Sequence, residues 1–339
     1  MKYNRAIFIG RFQPLHNGHI EVINSALKIA DKITIVIGSA HAPQSLRNPF
    51  SFQIRKAFIE DCYPNCIDRI NIVGIDDSAY NFESWLLDVK KKVNTLKSDN
   101  VILVGNYKDD TSYYLSYFPE WESIARPIKN GSIDATTVRN AFYDQGTPSK
   151  VRSLVPESVY EFMLKNLKRN DEMYGKLFEE YDFVKKYKKA WENTPFPSVF
   201  VTTDAIVFCM GYVLLVERKF NPGKGKFALP GGFIKQEENL LDSCIRELNE
   251  ETKIGCDIRQ LKGSIKEIKV FDHPRRDPRG RIITHGHFFR IDIRKLPVIN
   301  AGDDASKAFW FPLQDLQKYE ENFYSDHAQI VKYFINRGN

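Results

Sequence analysis

The chain has 339 residues, 42% of them hydrophobic and 27% charged, with a formal net charge of +6. That length exceeds what one hydrophobic core usually supports and predicts two domains, each able to bury a core of its own. No apolar run approaches the roughly 18 residues of a membrane span, the start MKYNRAIFIG lacks a secretory layout, and the mild charge falls short of a nucleic-acid footprint. The expectation is a cytoplasmic protein that binds neither membrane nor nucleic acid and tolerates phosphorylated ligands.

From residue 1 to 168 the strand-like runs AIFIG, KITIVIG, RINIVGI, NVILVG and SIARPI alternate with segments of helical length. This βαβ rhythm predicts a parallel sheet covered on both faces. CYPNC places Cys62 and Cys66 close together, but no second pair or histidine joins them. With an odd total of 5 cysteines, neither a metal site nor a disulfide framework is expected. Residues 169–196 are charged and lead into a boundary marked by Pro195 and Pro197, with Leu177, Phe178, Tyr181, Val184, Tyr187 and Trp191 at three- or four-residue steps. That spacing predicts an amphipathic linking helix, and its interspersed acids argue against a membrane-binding or nucleic-acid-binding face. From 197 to 339 longer strand-like stretches, SVFVTTDAIVFCM, YVLLVERK and THGHFFRIDI, surround a helical segment at 239–252, with another helix near the C-terminus. A mixed α/β domain is expected there.

In the first half, AIFIG runs into GRFQPLHNGH, a strand, a glycine turn and a helix start. Such a junction offers unpaired N–H groups and a positive helix end to a phosphate. The spacing is neither the GKS/T phosphate loop nor GxGxxG. His16 and His19, with Gly18 between them, place two imidazoles on one side of the helix start, where they can donate to charge developing on a phosphoryl group.

GRFQPLHNGH resembles the HxGH signature of the nucleotidylyltransferase superfamily, and IDATTVR at 133–139 resembles its ISSTTxR-type motif, with Asp134 and Ala135 at the usual serine positions. GSAHAPQSLRNPFSFQIR and YNFESW are similar to segments of the archaeal-type nicotinamide mononucleotide adenylyltransferases. The resemblance implies a Rossmann-like parallel-sheet domain over residues 1–168 that uses ATP and nicotinamide mononucleotide. The mononucleotide phosphate would attack the α-phosphorus of ATP in line and release pyrophosphate. His16, His19, Arg11 and Arg139 are the implied catalytic set. Gly10, Phe12, Gly18, Ser39, Arg47, Thr136 and Thr137 are the implied substrate contacts, and Asn81 and Trp85 the implied pocket for the pyridine ring. The alternative for that last pair is a capping asparagine and a core tryptophan. Another phosphate acceptor, such as a flavin or pantetheine phosphate, also stays open.

In the second half, Glu247, Glu250 and Glu251 fall at i, i+3 and i+4 of a helical segment and share a face. Like charges so placed repel each other, and a hard cation such as Mg²⁺ or Mn²⁺ relieves this. GGFIKQEENLLDSCIRELNEETKI resembles the Nudix box Gx5Ex7REUxEExGU at Gly232, Glu238, Arg246, Glu247, Leu248, Glu250, Glu251 and Ile254; Lys253 stands where the box has glycine. The resemblance implies an α/β/α Nudix domain over 197–339, with the three glutamates holding the metal and Glu250 and Glu251 serving catalysis. Arg246 would steady a box carboxylate. RDPRGR resembles a segment of ADP-ribose pyrophosphatases, which makes ADP-ribose the implied substrate and Arg276 and Arg279 candidate phosphate contacts. A plain basic hairpin loop is the other reading of that segment. The position of the general base, a non-hydrolytic sensing role and a homo-oligomer all stay open. Fused adenylyltransferase–Nudix proteins form a bacterial family that this chain resembles over nearly its full length.

Overall fold

The computed structural model describes residues 2–96, 99–105, 117–125, 133–144, 151–302 and 305–336. The chain divides into two compact units, Met1–Phe178 and Glu179–Asn339. No described helix is long and apolar enough to cross a membrane.

The first unit contains a five-stranded sheet in the order β3-β2-β1-β4-β5, every neighbouring pair parallel. The strands are β1 (Tyr3–Gly10), β2 (Ala30–Ile37), β3 (Ile70–Gly74), β4 (Val101–Gly105) and β5 (Glu122–Ala125). The last is the start of the expected SIARPI strand, whose remaining residues 126–128 lie outside the described residues. Helices α1 (Asn17–Ile29), α2 (Phe52–Cys62), α3 (Phe82–Val93), α4 (Ala135–Tyr143) and α5 (Glu157–Asn166) follow in chain order. Successive residues of β1 alternate faces, yet Ala6, Ile7, Phe8 and Ile9 are all buried, as a strand covered on both sides requires. Ile7, Ile9, Val36 and Leu103 pack with Leu86, Val89 and Val93 of α3. Strand order reverses between β1 and β4, so the crevice beyond their carboxyl ends is the natural ligand site of such a sheet.

The expected amphipathic helix is α6 (Gly175–Ala190), and the division between the units falls within it. In the first unit Phe178 packs edge-on against Tyr143 at 5.5 Å. In the second, Glu180 and Val184 are buried and Trp191 meets Phe200 edge-on at 5.0 Å.

The second unit is a seven-stranded mixed sheet with the main order β10-β11-β6-β7-β12, β8 pairing with β7 and β9 with β6. Its elements are β6 (Val199–Cys209), β7 (Tyr212–Arg218), β8 (Phe227–Ala228), β9 (Gly231–Phe233), α7 (Leu240–Thr252), α8 (Ile258–Gly263), β10 (Ile265–Phe271), β11 (Arg281–Arg290), β12 (Ala305–Pro312) and α9 (His327–Ile335). The two-residue period of β6 sorts its side chains: Ala205, Val207 and Cys209 pack with Cys244 and Leu248 of α7. Phe208 faces the other way and meets Phe288, which stacks on Phe334 of α9 at 4.9 Å. Helices therefore cover both faces, giving the α/β/α arrangement.

Candidate active sites

In the first unit β1 ends at Gly10, where an added Cβ would lie 3.1 Å from the Phe12 ring. Phe12 and, after β2, Ser39 both adopt left-handed backbone, with φ of 53° and 52°. His16 is the N-cap of α1 and is almost wholly buried. Its N–H donates to Nδ1 of His19 at 3.2 Å, so neutral His19 carries its proton on Nε2. The two imidazoles stack with centroids 3.5 Å apart, and Phe12 backs His19 at 4.7 Å. The glycine between them, Gly18, is buried within the first turn of α1. HxGH spacing thus yields a pair of rings in contact, with Nε2 the donor atom of a neutral His19.

Arg139 reaches this turn from α4. Its Nη1 donates to the Gln13 carbonyl at 2.6 Å and its Nη2 to the Thr136 hydroxyl at 3.1 Å. Burial lowers its guanidinium to about 10, with Arg11 adding to the shift, so two cations crowd one turn. An anion relieves such crowding. Asp134, at a usual serine position, caps α4 by accepting the Thr136 N–H at 2.9 Å. Thr136 and Thr137 stand exposed in the first turn of that helix, and Arg47 is half-exposed on the loop after β2.

Asn81 caps α3, its side-chain oxygen accepting the Ser84 N–H at 3.1 Å. Trp85 stacks on Phe82 at 5.7 Å and packs against the core cluster beneath α3 while staying half-exposed. The two residues carry the helix-capping and core-packing contacts of the alternative reading, and the remaining Trp85 surface is what a ring could use. The loops after β2 and β3 are tied together by bonds from Ser39 Oγ to Asp77 (2.6 Å) and from the His41 N–H to Asp76 (3.1 Å). Sequence reasoning missed this pair, because each partner sits more than 30 residues from the other. It also missed Gln13, whose buried amide exchanges two bonds with the Phe50 main chain.

In the second unit the box residues converge on Arg246. Its guanidinium meets Glu238 with two bonds (2.6 and 2.9 Å), Glu247 at 2.6 Å and Glu250 at 2.8 Å. The expected steadying role of Arg246 is what its contacts describe. Glu251 turns the other way and accepts the Gly231 N–H at 3.0 Å. Burial raises its carboxyl to about 8, the Gly231 bond opposing and Glu247 and Asp204 adding to the shift. Gly232 leaves room for the Glu247 carboxylate: a Cβ there would lie 2.7 Å away and push that side chain aside.

The donor set suits a hard divalent cation, since an excess of carboxylates crowds Glu251 and a cation favours their charged forms. As arranged, no three potential ligands among the described residues form a ready-made cluster. Glu247 and Glu250 face Arg246, and Glu250, with 54% of its side chain exposed, is the one open to solvent.

The RDPRGR arginines have carboxylate partners within the fold. Buried Arg276 makes two 2.9 Å bonds to Asp326 and lies 3.8 Å from Asp204. Arg279 pairs with Asp277 through bonds of 2.9 and 2.8 Å and lies over the Phe233 ring at 5.0 Å. These contacts are those of an internally braced hairpin loop.

Lys253, in the box's glycine position, is the C-cap of α7 with φ 43° and ψ 42°. A left-handed conformation costs a side chain about 1 kcal/mol. Lys253→Gly should therefore raise the unfolding free energy by about that amount, read as a shift of the urea midpoint at constant slope. An unchanged or lower midpoint would contradict the backbone assignment.

The Cytidylyltransferase-like family matches residues 7–143, and the NUDIX domain family matches residues 199–334. A crystal structure from Francisella tularensis, a bifunctional NMN adenylyltransferase/ADP-ribose pyrophosphatase complexed with AMP and Mn ion, covers 99% of this chain and 100% of its own at 35% identity and a TM-score of 0.91. This chain belongs to that bifunctional family. Each half also has its own relatives. A nicotinamide/nicotinic acid mononucleotide adenylyltransferase of Acinetobacter baylyi is 34% identical over 53% of this chain and 94% of its own length. An ADP-ribose pyrophosphatase of Methanocaldococcus jannaschii is 34% identical over 48% of this chain and 88% of its own.

Proposed function

We propose that the first unit joins nicotinamide mononucleotide to the adenylyl group of ATP, releasing pyrophosphate, and that the second hydrolyses ADP-ribose to AMP and ribose 5-phosphate. The observation that carries this reading is the likeness to a bifunctional relative over 99% of the chain.

In the first reaction the attacking group is an ionised phosphate, which needs no base; positioning and charge stabilisation do the work. The Nε2–H of His19, braced by His16 and Phe12, donates to the phosphoryl group in flight. Arg11 and Arg47 bind phosphate oxygens, and Arg139 holds the turn that carries Arg11. Trp85, half-exposed at the start of α3, contributes its indole to the pyridine-ring pocket. In the second reaction Arg246 sets the orientation of Glu247 and Glu250, and the Gly231 N–H sets that of Glu251. Glu247, Glu250 and Glu251 would hold Mg²⁺ or Mn²⁺, which would neutralise charge at the diphosphate and acidify water.

The test is product chromatography of the full chain in two reactions, ATP with nicotinamide mononucleotide and ADP-ribose alone, each with Mg²⁺ or Mn²⁺. Dinucleotide plus pyrophosphate from the first, and AMP plus ribose 5-phosphate from the second, are expected. Turnover only with nicotinate mononucleotide or another phosphate acceptor would reassign the first pocket. Tight ADP-ribose binding without cleavage would make the second unit a sensor.

A further inference from the structure

Arg55 lies in the first turn of α2, outside both motifs, and is among the largest fully buried side chains. All its hydrogen bonds go to main-chain oxygens. Nη1 donates to the carbonyls of Arg11 (2.8 Å) and Gly38 (2.7 Å), Nη2 to that of Ser39 (2.8 Å), and Nε to that of Ser51 (3.2 Å). Burying a cation is costly, and burial lowers this one to about 10, with Asp77 opposing the shift and Arg11 adding to it. Main-chain carbonyls from three separate segments converge on a single charged group.

In a trans peptide the N–H points opposite to the C=O. Because Nη1 gathers the carbonyls of Arg11 and Gly38, the N–H groups of Phe12 and Ser39 are turned away from Arg55. Neither has an acceptor among the described residues. Both residues have left-handed backbone, a conformation that a non-glycine residue keeps only where its surroundings impose it. They follow adjacent parallel strands whose ends are in register, Gly10 opposite Ile37. Two main-chain donors thus emerge from neighbouring strand ends, with the Arg11 side chain on the same turn. Concave groups of backbone N–H donors are a recurrent way of seating phosphate oxygens.

We infer that Arg55 is a positioning residue of the transferase site, which turns the Phe12 and Ser39 N–H groups outward as a two-donor seat for a nucleotide phosphate. The inference rests on the transferase reading of this unit. Lysine at this position keeps the charge but lacks the planar fork that spans the carbonyls.

The experiment compares wild type, Arg55→Lys and Arg55→Gly as full chains, measuring ATP affinity by calorimetry, transferase turnover, and ADP-ribose hydrolysis by the same preparations. Arg55→Lys should bind ATP at least tenfold more weakly and turn over at least tenfold more slowly, with hydrolysis unchanged. Guanidinium ion, kept below denaturing concentrations, should return at least a tenfold gain to Arg55→Gly, a recovery that lost stability alone would not show. Wild-type ATP affinity and turnover in Arg55→Lys would overturn the inference, as would a folded Arg55→Gly that guanidinium does not help. If Arg55→Gly does not fold, Arg55→Lys decides alone. If wild type binds ATP yet forms no dinucleotide, the transferase reading fails, while the ATP affinities still judge Arg55.

Discussion

His19→Ala should lower adenylyl transfer by about 10²- to 10³-fold, the usual loss when one donor to a developing oxyanion is removed. Hydrolysis of ADP-ribose by the same preparation should hold at the wild-type rate. The size of the effect follows from how little freedom the ring has. Its Nδ1 is occupied by the His16 N–H, one face lies on the His16 imidazole, and Phe12 packs against it. The donor is therefore oriented before substrate arrives. The loss should fall on kcat more than on KM, because the donor acts on charge that grows toward the transition state. Steady-state kinetics with ATP and the mononucleotide varied in turn make the check, and a variant that keeps wild-type kcat would end the catalytic assignment.

Glu251→Gln should abolish most hydrolysis, by about 10²-fold or more, because a box carboxylate is lost while its shape is kept. Adenylyl transfer should be untouched. The same variant has a second signature in metal-free protein. Burial raises the Glu251 carboxyl from 4.5 to about 8. Between those values the unfolded chain has released the proton and the folded chain still holds it, so stability falls as pH rises from about 4.5 to about 8 and then levels off. Melting curves in chelator, from about pH 5 to about pH 8.5, should slope downward for wild type and flatten for Glu251→Gln. Added Mg²⁺ should release protons near neutral pH, since metal ligation favours the deprotonated carboxylate. Equal slopes for the two proteins would remove Glu251 as the titrating group.

The parts of both sites legible in the sequence are those whose partners lie a few residues apart. His16 and His19 meet because three residues bring a helix N-cap and its first turn together. Glu247, Glu250 and Glu251 share a face by helical period, and Arg246 reaches Glu238 across a spacing that is itself part of the motif. The strands of both sheets were visible for the same local reason, as apolar runs cut by turns. What stayed hidden depends on distant pairing. Arg55 finds the Arg11 carbonyl 44 residues away, and Arg139 finds that of Gln13 126 residues away. An arginine in a basic loop is equally ambiguous from sequence alone. Nothing near Arg276 announces Asp326, 50 residues on, as its partner. Asp134, a departure from the motif, has a local role of its own: the carboxylate caps the helix by accepting the N–H two residues on.

The end of the box helix is held from a remote piece of chain. The N–H groups of Asn300 and Gly302 donate to the carbonyls of Thr252 and Glu251, at 2.8 and 2.9 Å, and Gly255 donates to Val298 at 2.8 Å. Gly302 comes so close that a Cβ would collide with the Glu250 carbonyl. Proton exchange at the Asn300 and Gly302 amides is therefore a clock for the hydrolase: each can swap its hydrogen with solvent only when it parts from the last turn of α7. A probe placed fifty residues downstream would time the opening of the metal-binding glutamates without any label on the helix that bears them.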